Sequence, residues 1–349
     1  MAITINTNVA SLVAQKSLNN ATSKMNTAME RLSTGLRINS SKDDAAGSAV
    51  ATKLNYKINS LAVAGDNAQM GSSLLDTEEG TLDVIQSNMT RIRDLTEQAA
   101  NGTYGEDAMT AIKSEIAGRL AEVTRIAGTT EFNGKKLLDG SMDNGINLQV
   151  GITSGDDSVI NLQGSLFASA SAEDLLGEYS ITGKDGNIKV NEDKNVARIG
   201  NDYYNVDGKE LEYAADQSAA KAKYETDGDT ITDSTDNFKF KGSKNAVDAL
   251  GEIFRNDTTA RAFLDNIDKA LADVTDRKTE IGAAQQRISS AMEVTNVMST
   301  NLTSAKSLIE DADIAEESSN YIKNQILQQT ASSLLATANQ NPSIALSLI

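Results

Sequence analysis

A single proline, Pro342, stands in a chain of 349 residues. Proline lacks a backbone N–H and its ring clashes with the preceding helical turn, so its near absence permits long uninterrupted helices almost everywhere. The apolar residues recur at spacings that would fill such helices. From Asn8 to about Leu32 the positions Val9, Leu12, Leu18, Ala21, Met25, Ala28 and Leu32 mostly alternate steps of three and four, which places them on one stripe. The stripe is narrow and partly alanine, too thin for a globular core but suited to a seam against a second helix. Near the other end, Ile322, Ile326, Leu327, Ala331, Leu334, Leu335 and Ala338 give a similar stripe, and "NQNPS" around Pro342 is expected to stop that helix. The two ends read as partners.

Charge supports the pairing. Residues 1–43 carry a net +3 and residues 306–349 a net −3, a directional preference for unlike ends to associate. Between the ends the helical spacing continues. Residues 42–99 read as one very long helix until "ANGTYG" breaks it, and 106–128 as another, ended by Gly128. The period then changes: "FNGKKLLDG", "INLQVGI" and "SVINLQG" are short β-type runs with Asn-Gly and Asp-Gly turn signals. Residues 263–310 return to helical spacing. Residues 171–261 differ in texture, holding Tyr179, Tyr203, Tyr204, Tyr213 and Tyr224 among many turn signals, with "GNDYYNVDGKEL" reading as a hairpin. The expected fold is mainly α: a long-helix bundle or coiled coil built from both chain ends, a β-hairpin region, and a small α+β or β insertion domain at the tip. The corresponding division is 1–41 with 306–349, then 42–170 with 262–305, then 171–261.

Composition removes whole classes of chemistry. There is no cysteine, histidine or tryptophan, which excludes disulfides, thiolate or imidazole metal sites and Ser-His-Asp triads. No catalytic residue, cofactor or metal is expected. A net charge of −17 repels nucleic acid and anionic lipid. No stretch approaches a membrane span, and "MAITINTNVASL" lacks the pattern of a cleaved signal peptide, so neither membrane insertion nor ordinary signal cleavage is expected.

Three motifs invite a choice between chemistry and structure. "LSTGLRINSSKDDAAG" sets Asp43 beside Asp44 near Arg37 and Lys42. Gly35 suits a helix C-cap, Ser41 with Asp44 makes a capping box, and Asp43 adds charge to the same N-terminus, so the carboxylates read as helix starters rather than acid and base. "TRIRDLTEQAANGT" puts Arg91, Leu95 and Gln98 on one helix face, with Ile92 on the neighbouring core-facing stripe and Asp94 in reach of Arg91. "IEDADIAEE" lacks the calcium-loop pattern and reads as the acidic first turns of the last helix. In the middle region Ser234 and Thr235 are candidate O-glycan acceptors. Without histidine the region cannot carry an H-E-x-x-H zinc protease motif.

The blocks "LSTGLRINSSKDDAAGSAVATKL", "TRIRDLTEQAANGT", "FNGKKLL", "NLTSAKSLIEDADIAEESSNYIKNQILQQTASSLLATANQ" and "ALSLI" closely resemble bacterial flagellin, over roughly residues 1–165 and 265–349. The resemblance implies a self-assembling, helical filament used for motility: terminal helices forming an inner tube, the adjoining helices and hairpin an outer tube, and the insertion facing outward. It implies type III export without signal cleavage, an export chaperone on the C-terminal segment, and association with hook-associated and cap proteins. It also implies that Arg91, Leu95, Gln98, Glu115 and Arg119 form a patch that contacts a neighbouring subunit and is recognised in hosts by Toll-like receptor 5. Glu97 and Thr90 depart there from the residues common in the family. Gly35, Arg37, Asp43 and Asp44 fall in the connector between tubes, with Arg37 a candidate inter-subunit contact. Two other functions remain open at this stage: a hook-filament junction protein, which shares the terminal helices, and an enzyme displayed through 171–261.

Overall fold

A computed structural model describes residues 8–177, 181–182, 188–191, 196–199, 202–207, 209–215, 217–225, 231–233, 237–240, 246–255 and 257–346. Tyr179, Ser234 and Thr235, singled out above, lie outside them. Internal contacts divide the chain into two compact units, Met1–Gly65 with Glu293–Ile349, and Asp66–Met292. The division falls inside two long helices, α2 (Ala45–Ala99) and α7 (Asp257–Glu310).

The first unit pairs α1 (Val9–Thr34) with α8 (Ile314–Leu346) and also holds the start of α2 and the end of α7. Contrary to expectation, α8 does not stop at "NQNPS" but runs through Pro342 to Leu346. A proline inside a helix removes the one donor aimed at the carbonyl four residues back. That carbonyl, on Ala338, instead accepts a 2.7 Å hydrogen bond from Asn8 Nδ2.

The second unit is built on a core shared by α2, α3 (Glu106–Thr129) and α7. Leu75, Leu82, Ile85, Met89 and Ile92 of α2, Ile116, Leu120 and Val123 of α3, and Phe263, Ile267, Val274, Ile281 and Ile288 of α7 are all essentially inaccessible. Each such side chain contributes roughly 1.5–3 kcal/mol relative to an exposed one. The α3 helix passes Gly128 by one residue, and the N–H of Thr130 closes it on the carbonyl of Ile126. A tight hairpin follows, β1 (Glu131–Phe132) and β2 (Lys135–Lys136). Its turn residues Asn133 (φ 49°) and Gly134 (φ 76°) both sit in the left-handed region that a type I′ turn demands. A second hairpin joins β3 (Ile146–Gln149) to β4 (Val159–Leu162) in antiparallel register, Asn147 opposite Asn161.

The region from 171 onward is α+β. After the short α4 (Ala172–Leu176) come β5 (Ile181–Thr182), β6 (Ile188–Asn191), β7 (Val196–Ile199), β8 (Asp202–Asp207), β9 (Glu210–Tyr213), α5 (Gln217–Tyr224), β10 (Ile231–Asp233), β11 (Asn237–Phe240) and α6 (Leu250–Ile253). The strands form one seven-stranded sheet in the order β10-β6-β7-β8-β9-β11-β5. It is antiparallel except where β11 runs parallel to β9. The expected "GNDYYNVDGKEL" hairpin is β8 with β9, Asp207 opposite Glu210. Tyr204 is fully buried and stands edge-on to Tyr213, whose face carries the Arg255 guanidinium 3.6 Å from the ring centre. One hydrophobic cluster extends from the helices through Leu137, Leu138 and Phe167 to Ile188, Ile199, Tyr204 and Leu211 of the sheet. No described helix is long and apolar enough to cross a membrane.

Candidate assembly surface

The α1–α8 pair is antiparallel, as its cross-links show. Asn8 meets Ala338, Ser11 Oγ meets Asn339 Oδ1 at 2.8 Å, Gln328 Nε2 donates to Thr22 Oγ1 at 3.2 Å, and Arg31 Nη1 donates to Glu317 Oε1 at 2.8 Å. The buried positions repeat every seven residues: Ala14, Ala21 and Ala28 on α1, and Glu317, Asn324, Ala331 and Ala338 on α8. Between them lie the half-buried Leu18, Met25 and Leu32 and, opposite, Tyr321, Gln328 and Leu335. This is a coiled-coil period of 3.5 with small residues at its centre, which lets the two backbones approach closely.

On α1 the seam keeps Leu18, Ala21, Met25, Ala28 and Leu32 of the expected stripe, but it departs from that stripe at the start of α1 and on α8. Val9 and Leu12 point outward at 63% and 57% exposure, and Ile322, Ile326, Leu327 and Leu334 are likewise exposed. Only the alanines and Leu335 of the expected C-terminal stripe face α1, together with polar residues that periodicity of apolar positions cannot flag. Among the described residues, all the exposed large apolar side chains except Met70, Val84 and Tyr104 belong to the first unit.

The connector from Gly35 to Asp44 is tied down at every few residues. Gly35 ends α1 at φ 74°, its N–H on the carbonyl of Arg31, and its own carbonyl accepts from the N–H of Ala312 at 2.9 Å. Arg37 donates its main-chain N–H to the Glu310 carbonyl and its guanidinium to the carbonyls of Leu308 and Ile309. A cation on the last carbonyls of α7 complements the negative end of that helix. Ile38 is buried.

The two carboxylates divide their work differently from the expected capping box. Asp44 is itself the N-cap of α2, its Oδ1 accepting from the N–H groups of Ala46 at 3.0 Å and Gly47 at 2.9 Å. Ser41 lies too early to cap and meets Ser48 instead. Asp43 turns back onto Asn39 and Ser40, and the Ser40 hydroxyl is the main cause of its lowered pKa. The acidic run is split: Glu310 ends α7, Asp311 pairs across a bridge with Leu36, and Asp313 caps α8 through Ala315 N and Glu316 N. Glu316 and Glu317 occupy the first turn of α8, as expected.

In the second unit Arg91, Glu115 and Arg119 come together. Glu115 Oε1 accepts from Arg91 Nε at 3.3 Å and from Arg119 Nε at 3.1 Å, while Arg119 also reaches Asn88 Oδ1 at 3.3 Å. The hydrogen bond from Arg119, then the charge of Arg91, holds Glu115 below the usual carboxylate pKa. Arg91 thus pairs across to α3 rather than with Asp94. Gln98 is exposed on the same helix. Leu95 is not part of this exposed surface: at 3% exposure it packs in the core, on the same side of α2 as Ile92.

Comparison with known proteins fits these features together. Residues 5–143 match the family model for the bacterial flagellin N-terminal helical region, and residues 264–349 that for the C-terminal helical region. Polar flagellin F of Vibrio parahaemolyticus is 34% identical over 384 residues, and a flagellin of Salmonella typhimurium 32% over 502, each with 100% of both chains covered. Among solved structures, FliC from Burkholderia pseudomallei is 23% identical with a TM-score of 0.38, covering 62% of this chain and 99% of that one. With both helical regions matched at the two ends that pair in space, and full-length relatives above 30% identity, the chain belongs to the bacterial flagellin family.

Proposed function

We propose that the paired chain ends drive polymerisation, the outward apolar faces of α1 and α8 being taken up by neighbouring copies. As a flagellin, the chain is a structural subunit of the extracellular bacterial flagellar filament, which serves motility, and not an enzyme. The observation that carries the assembly reading is where apolar surface is left bare: almost all of it lies on the unit built from the two ends. Bare apolar surface on that scale marks an interaction site. Contacts between unlike faces do not close, so they extend as a helical polymer. In a free subunit the alanine and polar seam alone supports the ends poorly, and they order when neighbours add surface.

On this reading residues 1–41 with 306–349 form the inner-tube domain, 42–170 with 262–305 the outer-tube domain, and 171–261 the surface domain. Gly35, Arg37, Asp43 and Asp44 serve as the connector. Arg91, Gln98, Glu115 and Arg119 present the subunit contact and the surface for Toll-like receptor 5, with Leu95 supporting it from beneath. Hook-associated and cap proteins, an export chaperone and the type III apparatus are the further partners, and export proceeds without a cleaved signal.

Electron microscopy of purified protein after salt-induced polymerisation should show long filaments. A protein that forms none would support the junction-protein alternative. Arg91→Glu should lower receptor signalling by purified monomer; unchanged signalling would remove Arg91 from the receptor surface.

A further inference from the structure

We infer that the side-chain amide of Asn8 stands in for the hydrogen that Pro342 lacks, and so helps fix the register in which the two chain ends pair. In an α-helix the N–H of residue 342 would bond the carbonyl of residue 338. Pro342 has no N–H, and it lies inside α8, which continues to Leu346. The carbonyl of Ala338 is thus left without its helical donor, at a residue only 7% exposed. Asn8 Nδ2 donates to it at 2.7 Å across 330 residues of sequence.

The same side chain does a second job. Asn8 Oδ1 accepts from Ser11 N at 3.0 Å, the N-cap bond of α1. The amide is therefore held at both ends, which assigns its oxygen to one helix and its nitrogen to the other. Of the residues favoured at an N-cap, only asparagine carries a carbonyl acceptor and an N–H donor together.

The rest of the seam carries three further links, Ser11 with Asn339, Thr22 with Gln328 and Arg31 with Glu317, but each joins side chain to side chain and none supplies a main-chain group with a missing partner. Small residues recur at the seven-residue spacing, Ala14, Ala21 and Ala28 on α1 and Ala331 and Ala338 on α8, so a slip of seven keeps the coiled-coil period while breaking the polar links. Such a slip takes Asn8 away from Ala338 and leaves a buried carbonyl unpaired. The chain holds one proline, so the unpaired carbonyl marks a single point along α8. A polar contact within a coiled-coil seam is a known way to specify register.

The functional consequence rests on the assembly reading above, and the test separates the two. Asn8→Ser keeps an oxygen cap for α1 but loses the amide donor. It should raise the critical concentration for filament growth about tenfold. In a Pro342→Ala background, where alanine restores the main-chain N–H, the same change should have less than about a twofold effect. Equal effects of Asn8→Ser in the two backgrounds would overturn the inference. Because the chain has no cysteine, introduced pairs give unambiguous disulfides. Thr22→Cys with Gln328→Cys reports the observed register, and Thr22→Cys with Leu335→Cys a slip of seven. Asn8→Ser should lower the first yield and raise the second; unchanged yields would refute the register lock. Failure of the unaltered protein to polymerise would overturn the assembly reading, while the disulfide yields still decide the register.

Discussion

Glu78 sits fully buried on α2, with no hydrogen-bond partner for either carboxylate oxygen among the described residues. The Arg277 charge favours its ionised form, but that guanidinium is already committed to the carbonyls of Ala168 and Ser169 and to Asp273. Burial dominates and pushes the Glu78 pKa from 4.5 up to about 8. An unfolded chain releases this proton near pH 4.5 and the folded chain only near 8, so folding stability falls as pH rises between those values and levels off above. The slope is about 1.4 kcal/mol per pH unit. Glu78→Met, which removes the titrating group while keeping its length, should stabilise the protein by a few kcal/mol at pH 8 and by much less at pH 4. Urea midpoints at the two pH values check this; a stabilisation independent of pH would show that the carboxyl does not titrate in the fold. Nothing in "LLDTEEG" distinguishes Glu78 from Glu79. Only the helices packed onto α2 reveal which of the two is sealed from water.

At the scale of elements, the end of α1 depends on one left-handed residue. Gly35→Ala at φ 74° should cost roughly 1–2 kcal/mol. It should also lower the filament melting temperature measured by circular dichroism, because the same residue receives the N–H of Ala312. An unchanged melting temperature would mean that the connector relaxes without cost. The helices themselves were legible in the sequence, since the period of apolar positions and the scarcity of proline both act locally. The tight hairpins were legible too, because Asn133-Gly134 states its turn type outright. The α1 side of the α1–α8 seam was legible from Leu18 onward, but the α8 side was not. A pattern reading follows large apolar residues, whereas α8 meets α1 largely through Ala331, Ala338, Glu317, Asn324 and Gln328, and its Ile322, Ile326, Leu327 and Leu334 face away. Leu95 was misplaced for a related reason: a face defined by Arg91 and Gln98 is wide enough to include a position that packs inward. The end of α8 failed as well, because the rule that proline stops a helix omits a donor from another helix.

For the whole molecule, the two units carry different burdens. The core of Asp66–Met292 is closed by its own side chains, while the unit made from the ends keeps its apolar surface outward. Deleting residues 1–40, or the last 40, should leave a folded, monomeric protein with a cooperative thermal transition but no capacity to polymerise. Sedimentation before and after salt addition checks this, and a truncated chain that pellets as filament would show that the ends are dispensable. The antiparallel pairing of α1 with α8 also bears on the order of events in time. Asn8 and Ala338 are 330 residues apart, and joining two points across so long a flexible chain costs about 5 kcal/mol of entropy. That cost shrinks once the intervening chain has folded, so the contacts between the ends form late and are the first to be lost on unfolding. On the proposed assembly, a subunit built this way would finish its interior while its ends are still separate strands of chain, and self-association would wait for the last folding step.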